Sequence, residues 1–423
     1  MTLLGGQPPE GVFERIVSTA GRSHRLSKMT VSQGCRMDLA AICAAVPVPG
    51  QITTLDMSPV DGYNNVVAQT NLPAALHHLG KGLQVLKLGG CFMHADNAVA
   101  LAPSMAGLTA LRQLDLASNS IDVAGAVALA PSLARMTALR QLDLSGNNIN
   151  VAGAVALAPS LAGLTALRQL ILSGNRLLVA GIAALAPSLA GMTALEQLTL
   201  TYNDLGDVGA VALAPSMTGM TALRRLNLSW NNIGDDGAVA MAPALACLTT
   251  LHDISMHNNN LGTAGIAAMA PSLARLTAIR HVSLSINPIG ETGAMALAPA
   301  LARMTALESL SLIACCIGDA GAAALAPCLT GLTALQSLCI SWNGIGDVGA
   351  VALAPSLASM AALQSLYIGN CIGDVGVAAL AQPLRDHPAL GVVQLGMSKY
   401  GSGDGVKLLK ENLGSRISAF YVS

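Results

Sequence analysis

Apolar residues fall along this chain in one recurring figure, L-x-x-L-x-L, which returns every 28 residues from Leu83 to Leu363. Its lead positions are Leu83, Leu111, Leu139, Leu167, Leu195, Leu223, Leu251, Ile279, Leu307, Leu335 and Leu363. An earlier copy begins at Ile52, and a last one begins at Leu390, 27 residues beyond Leu363. Within each copy the alternation predicts a short strand. In Leu139–Leu144, for example, Leu142 and Leu144 turn inward and Asp143 outward. A fixed period of this length predicts stacked repeats, each touching mainly its neighbours. The expectation is one elongated domain with about thirteen parallel strands in one sheet.

The polar positions predict what closes each strand. Asn119, Asn147, Asn175, Asn203, Asn231, Asn259, Asn287 and Asn343 all stand eight residues after a lead position. An amide both donates and accepts, so this column reads as a structural ladder that satisfies backbone groups where the chain turns. Cys91 and Cys315 take that place in their repeats, and Cys371 does so if its repeat is counted without a gap. All three read as buried stand-ins.

A helix follows, typified by Gly206–Met217. Asp207 is its expected N-cap, and Ala210, Leu213, Ala214 and Met217 share one face. A proline recurs late in this segment: Pro103, Pro131, Pro159, Pro187, Pro215, Pro243, Pro271, Pro299, Pro327, Pro355 and Pro383. Proline lacks the helical donor and clashes one turn back, so the helices are expected to kink or split there. Outward positions such as Val127, Ala128 and Pro131 are apolar for a solvated face.

A strand on one side and a wider helix on the other make a wedge, and stacked wedges curve. The predicted fold is an α/β solenoid, a horseshoe with a concave parallel sheet and convex helices. At residues 52–395 the repeats resemble the ribonuclease-inhibitor class of leucine-rich repeats: L-x-x-L-x-L-x-x-N, then I/L-G-D-x-G, then a helix. Residues 51–389 form the repeats. Residues 1–50 read as an N-terminal helical cap, with helix-like pieces near Gly11–Thr19 and Met37–Ala45. Residues 390–423 read as the last strand and a C-terminal cap, with a polar helix (GDGVKLLKENLG) before a strand (ISAFYV).

Composition changes this picture little. Charged residues make up only 11% and apolar ones 52%, against roughly 25% charged in an ordinary domain. That balance suggests a membrane protein, but Gly, Pro, Ser and Thr break the long uncharged stretches. Charged or Asn-bearing segments interrupt every period, so no run reaches the roughly 20 apolar residues of a span. A net charge of −1 excludes whole-chain steering toward nucleic acid or anionic lipid. The N-terminus shows no basic region followed by an apolar core, as a secretory signal would. Nine cysteines without paired spacing suggest neither disulfides nor zinc and favour a reducing compartment, the cytoplasm or the nucleus.

Candidate recognition residues lie on the strand side. Tyr202, Trp230 and Trp342 stand seven residues after a lead position and Tyr367 four after one, so all four are expected to face the concavity. With ten Phe, Tyr and Trp in the whole chain, their placement there is selective. His252, Asp253, His257 and His281 cluster nearby, with Arg224 and Arg225 beside them. Exposed Trp, Tyr and Arg are enriched at binding hot spots. The column one residue after the lead holds Arg112, Arg140, Arg168, Arg224 and Arg280, with Glu196, His252 and Glu308 among them. Asp115 and Asp143 can pair with these arginines across strands. The histidines have no supporting metal motif, and no phosphate-cradling loop is present, so neither metal nor cofactor is expected.

The function expected is that of a monomeric, non-enzymatic interaction scaffold holding a protein partner, with neither nucleic acid nor membrane. Two resemblances supply alternatives. Residues Gln7–Ile16 and Arg25–Ser32 are similar to the opening and close of a degenerate F-box, which implies a substrate adaptor of a ubiquitin ligase. The G-A-V-A-L-A of Gly125–Ala130 is similar to a helix motif of bacterial F-box effectors with leucine-rich repeats. The Ran GTPase activators share the repeat class but act through an arginine on an early loop. Ser58–Gly62, the corresponding loop here, has none, which leaves that reading third.

Overall fold

The computed structural model of the protein describes residues 2–3, 27–31, 52–58, 71–91, 93–397 and 417–422. Contacts divide the chain into two compact units, Met1–Asp204 and Leu205–Ser423. All thirteen expected strands are present, from Thr54–Asp56 to Val392–Met397. Three more flank them: Thr2–Leu3 and Lys28–Val31 at the start, and Ile417–Val422 at the end. The helix-like pieces at Gly11–Thr19 and Met37–Ala45, Gln7–Ile16 of the F-box resemblance, Pro59–Gly62 and the polar helix at 403–414 lie outside the described residues.

In the first unit, consecutive strands pair parallel and in chain order from Thr2–Leu3 to Gln197–Thr199. In the second, the same holds from Arg225–Asn227 to Ile417–Val422. Leucine alternation sets the register: Leu142 and Leu170 are fully buried partners, while Gln141 and Asp143 face away from the core. One residue of slip would turn every leucine to solvent. Each leucine so buried stabilises by roughly 1.5–3 kcal/mol over an exposed one.

Between strands run the helices. Those carrying the recurrent proline, from Ala95–Met105 to Asp374–Arg385, contain it inside a continuous helix. The expected splitting does not occur. In Val123–Leu133, Pro131 is on the exposed side, and Val127, whose carbonyl Pro131 cannot donate to, is also exposed. That carbonyl lies on the solvent side of the helix, which continues for two more residues. The next serine adds a tie between repeats: Ser132 Oγ donates to the Ala102 carbonyl at 2.6 Å, as Ser188 does to Ala158 and Ser356 to Ala326.

Helix capping differs from the sequence expectation. Asp207 sits inside the first turn of Gly206–Met217, two residues past the N-cap position at Leu205. Its Oδ1 instead accepts from the N–H groups of Gly234 (2.6 Å) and Gly237 (2.9 Å), at the start of the next helix, Asp235–Leu245. Asp235, Asp319 and Asp347 repeat the arrangement on Gly262 and Gly265, Gly346 and Gly349, and Gly373 and Gly376. The close approach requires glycine: a Cβ on Gly237 would stand 2.7 Å from Asp207 Oδ1 and 2.9 Å from Ile233 Cγ2.

At the strand ends the asparagines bridge repeats. Asn147 Nδ2 donates to Leu116 O (2.9 Å) and Leu144 O (3.0 Å), and its Oδ1 accepts from Ile121 N–H (3.0 Å). Asn119, Asn259 and Asn287 make the same three kinds of bond. Asn175, Asn203, Asn231 and Asn343 are buried in equivalent places. Cys91 and Cys315 are buried too, their thiols reaching Met57 O and Leu284 O at 3.3 Å. Cys371 departs from expectation and is exposed. Its repeat is one residue short, which brings Asn370 into the column; its Nδ2 donates to Ile340 O at 2.8 Å and its Oδ1 accepts from Asn343 N–H.

Candidate functional site

The strand face of the second unit carries most of the candidate residues. The register sets Arg225, Asp253 and His281 side by side on three consecutive strands. Asp253 Oδ2 accepts from Arg225 Nε at 2.9 Å, and Asp253 Oδ1 pairs with His281 Nδ1. Arg280 Nη1 reaches Glu308 Oε1 at 3.0 Å. In the first unit Arg168 pairs likewise with Glu196 at 2.6 Å. These links join neighbours within one column. Asp115 and Asp143 do not take part, because each carboxylate accepts from its own chain two residues on, at Ala117 and Ser145. Burial pushes the Asp115 carboxyl upward, and Asp143 and Asp56 nearby add to the shift. Arg224 is exposed and His252 half-buried, and neither is in an ion pair among the described residues.

Farther along the strands the face turns apolar. Trp230 is 41% exposed and Trp342 71%; in the first unit Tyr202 is 61% exposed. Tyr367 is half-buried on the strand Ser365–Ile372, paired with Cys339. The Trp230 and His257 rings stand 5.8 Å apart, and burial lowers the His257 pKa, which favours the neutral imidazole.

The seventh position carries a constraint the sequence reading missed. Tyr202, Trp230, Ile286 and Trp342 have φ of 62°, 58°, 55° and 60°. The same position is glycine in Gly90, Gly146 and Gly174. The chain turns left-handed here in every one of these repeats, where bulky side chains cost roughly 1–3 kcal/mol. The glycines in the column were the legible signal. Ile286, 42% exposed, belongs with the tryptophans and was not singled out.

The helix face is also apolar. Val99, Val127 and Val155 in the first unit, and Val211, Val239, Met295 and Val351 in the second, are all exposed at one recurring helical place.

Six segments, residues 107–130, 136–158, 191–214, 219–242, 304–326 and 331–354, match the Leucine Rich repeat family. No curated protein matches the chain. Among solved structures, an internalin (inlF) from Listeria monocytogenes str. 4b F2365 is similar at 20% identity, covering 76% of this chain and 89% of that one, with a TM-score of 0.47. The structure of a TLR13–ssRNA13 complex is similar at 15% identity with a TM-score of 0.51. That similarity covers 95% of this chain, which spans 55% of the other. At these identities the likeness concerns the fold.

Proposed function

We propose that this leucine-rich repeat protein is a non-enzymatic scaffold whose strand face holds a protein partner. On the second unit the proposed anchors are Trp230 and Trp342, with Arg224, Arg225, His252, Asp253, His257, His281 and Tyr367 on the same strand face; on the first unit the proposed contact is Tyr202. The observation that carries this reading is the exposure of Tyr, Trp and Ile at left-handed positions that glycine fills in three other repeats. Each keeps a large share of its apolar surface in solvent while holding that backbone, and contact with a partner would cover it. Stacked repeats suit this role, since they present long continuous surfaces. Free cysteines throughout the described residues support an intracellular setting.

The test is affinity capture by the parent and by the Trp230→Gly/Trp342→Gly double variant. Relief of strain offsets part of the packing lost with each side chain, and circular dichroism checks that the double variant is folded. Capture of the partner should fall at least about tenfold. Unchanged capture by a folded double variant contradicts the proposal.

A further inference from the structure

We propose that the segment gripped on the second unit is a proline-rich chain in the polyproline II conformation, laid along the row Trp230, Asn258, Ile286, Ala314, Trp342. The inference deepens the scaffold reading and rests on it. Backbone bonds define the row. Trp230 N–H donates to His257 O (2.9 Å), Asn258 to Ser285 (2.8 Å), Ile286 to Ile313 (2.7 Å), Ala314 to Ser341 (2.9 Å) and Trp342 to Gly369 (2.7 Å). The strand ladder therefore continues through these turns, and neighbours in the row stand about 4.8 Å apart.

Large and small side chains alternate along it. Trp230, Ile286 and Trp342 are exposed, and Asn258 and Ala314 between them are half-buried. The row is thus a set of ridges about 9.6 Å apart with a notch in each gap. A polyproline II chain brings every third residue to one side at about 9.3 Å, so prolines at that spacing drop into successive notches. An α-helix repeats over two turns at about 10.8 Å and drifts out of step by roughly 2 Å across the row. An extended strand repeats on one face at about 6.7 Å and does not fit.

The electrostatics agree. No residue of the row is ionisable, and the adjacent His257 imidazole favours its neutral form. A charged anchor would lose water without gaining a partner, whereas proline rings lose little and stack on tryptophan. Arg225, Asp253, His281, Arg280 and Glu308, at the other end of the strands, are already engaged with one another.

The test pans a displayed random-peptide library on the full chain, then titrates synthetic copies of the enriched peptides against variants. Enrichment of prolines three residues apart is expected. Ala314→Trp, which fills a notch while adding apolar surface, should weaken those peptides at least about tenfold. Ala314→Gly, which keeps the notch and suits the local φ of 53°, should leave binding unchanged. Peptides with helical spacing, or peptides that bind Ala314→Trp more tightly, would overturn the inference. If such peptides still need Trp230 and Trp342, the scaffold reading survives. Enriched peptides indifferent to both tryptophans would sink both. A single-stranded RNA that binds through the tryptophans, in place of any peptide, would also overturn both.

Discussion

At the scale of single residues, the buried amides matter more than the visible charges. Asn287 satisfies carbonyls of two repeats and an amide of the preceding turn, while Arg168 is exposed and Glu196 half-buried. Asn287→Ala should cost about 1–3 kcal/mol. Arg168→Ala should cost about 1 kcal/mol or less. Urea melts of the two variants check the contrast, and equal losses would contradict it. Cys315 offers a second test. Burial pushes its thiol up to about 12, and Cys91 likewise. Both should resist maleimide in the folded protein, while exposed Cys247, Cys316 and Cys371 react. The linkage has a sign. Above the ordinary thiol value of 9.0 the unfolded chain ionises while the folded one holds its proton to about 12. Stability therefore falls as pH rises through that window, and Cys315→Asn should reduce the fall.

At the scale of elements, four helix starts in the second unit depend on the repeat before them. Asp319 holds two N–H groups at the start of Asp347–Ser359 while sitting in the helix Gly318–Thr330. Asp319→Ala should cost about 0.5–2 kcal/mol. In hydrogen exchange, protection should drop at the first turn of Asp347–Ser359. A drop confined to Gly318–Thr330 would restore the simpler capping scheme. The strands were legible in sequence because period-two alternation of leucine leaves one register. The capping was not, because its partners lie 27 and 30 residues apart and nothing local reports which helix a carboxylate faces. Proline misled for a related reason: its cost depends on which side of the helix the abandoned carbonyl faces, and here Pro131 and Val127 are both on the exposed side. The 27-residue spacing to Leu390 showed that one residue was missing, but only the Asn370 side-chain bonds placed the gap before Cys371.

At the scale of the whole molecule, each unit carries two surfaces that could hold a partner: the strand face with its strained aromatics and the helix face with its exposed valines. The aromatic positions were legible as a column, but the left-handed turn that makes them costly was written only in the glycines of other repeats. The difference between the faces decides the account. Exposed valines on a helix are in ordinary conformations, whereas Trp230, Ile286 and Trp342 hold a backbone they do not favour. The most direct measurement is site-specific photocrosslinking, with a photoreactive residue at Ser337 on the strand face or at Val351 on the helix face. The account predicts that the captured partner crosslinks from position 337 and not from 351. Crosslinking from 351 alone would contradict it.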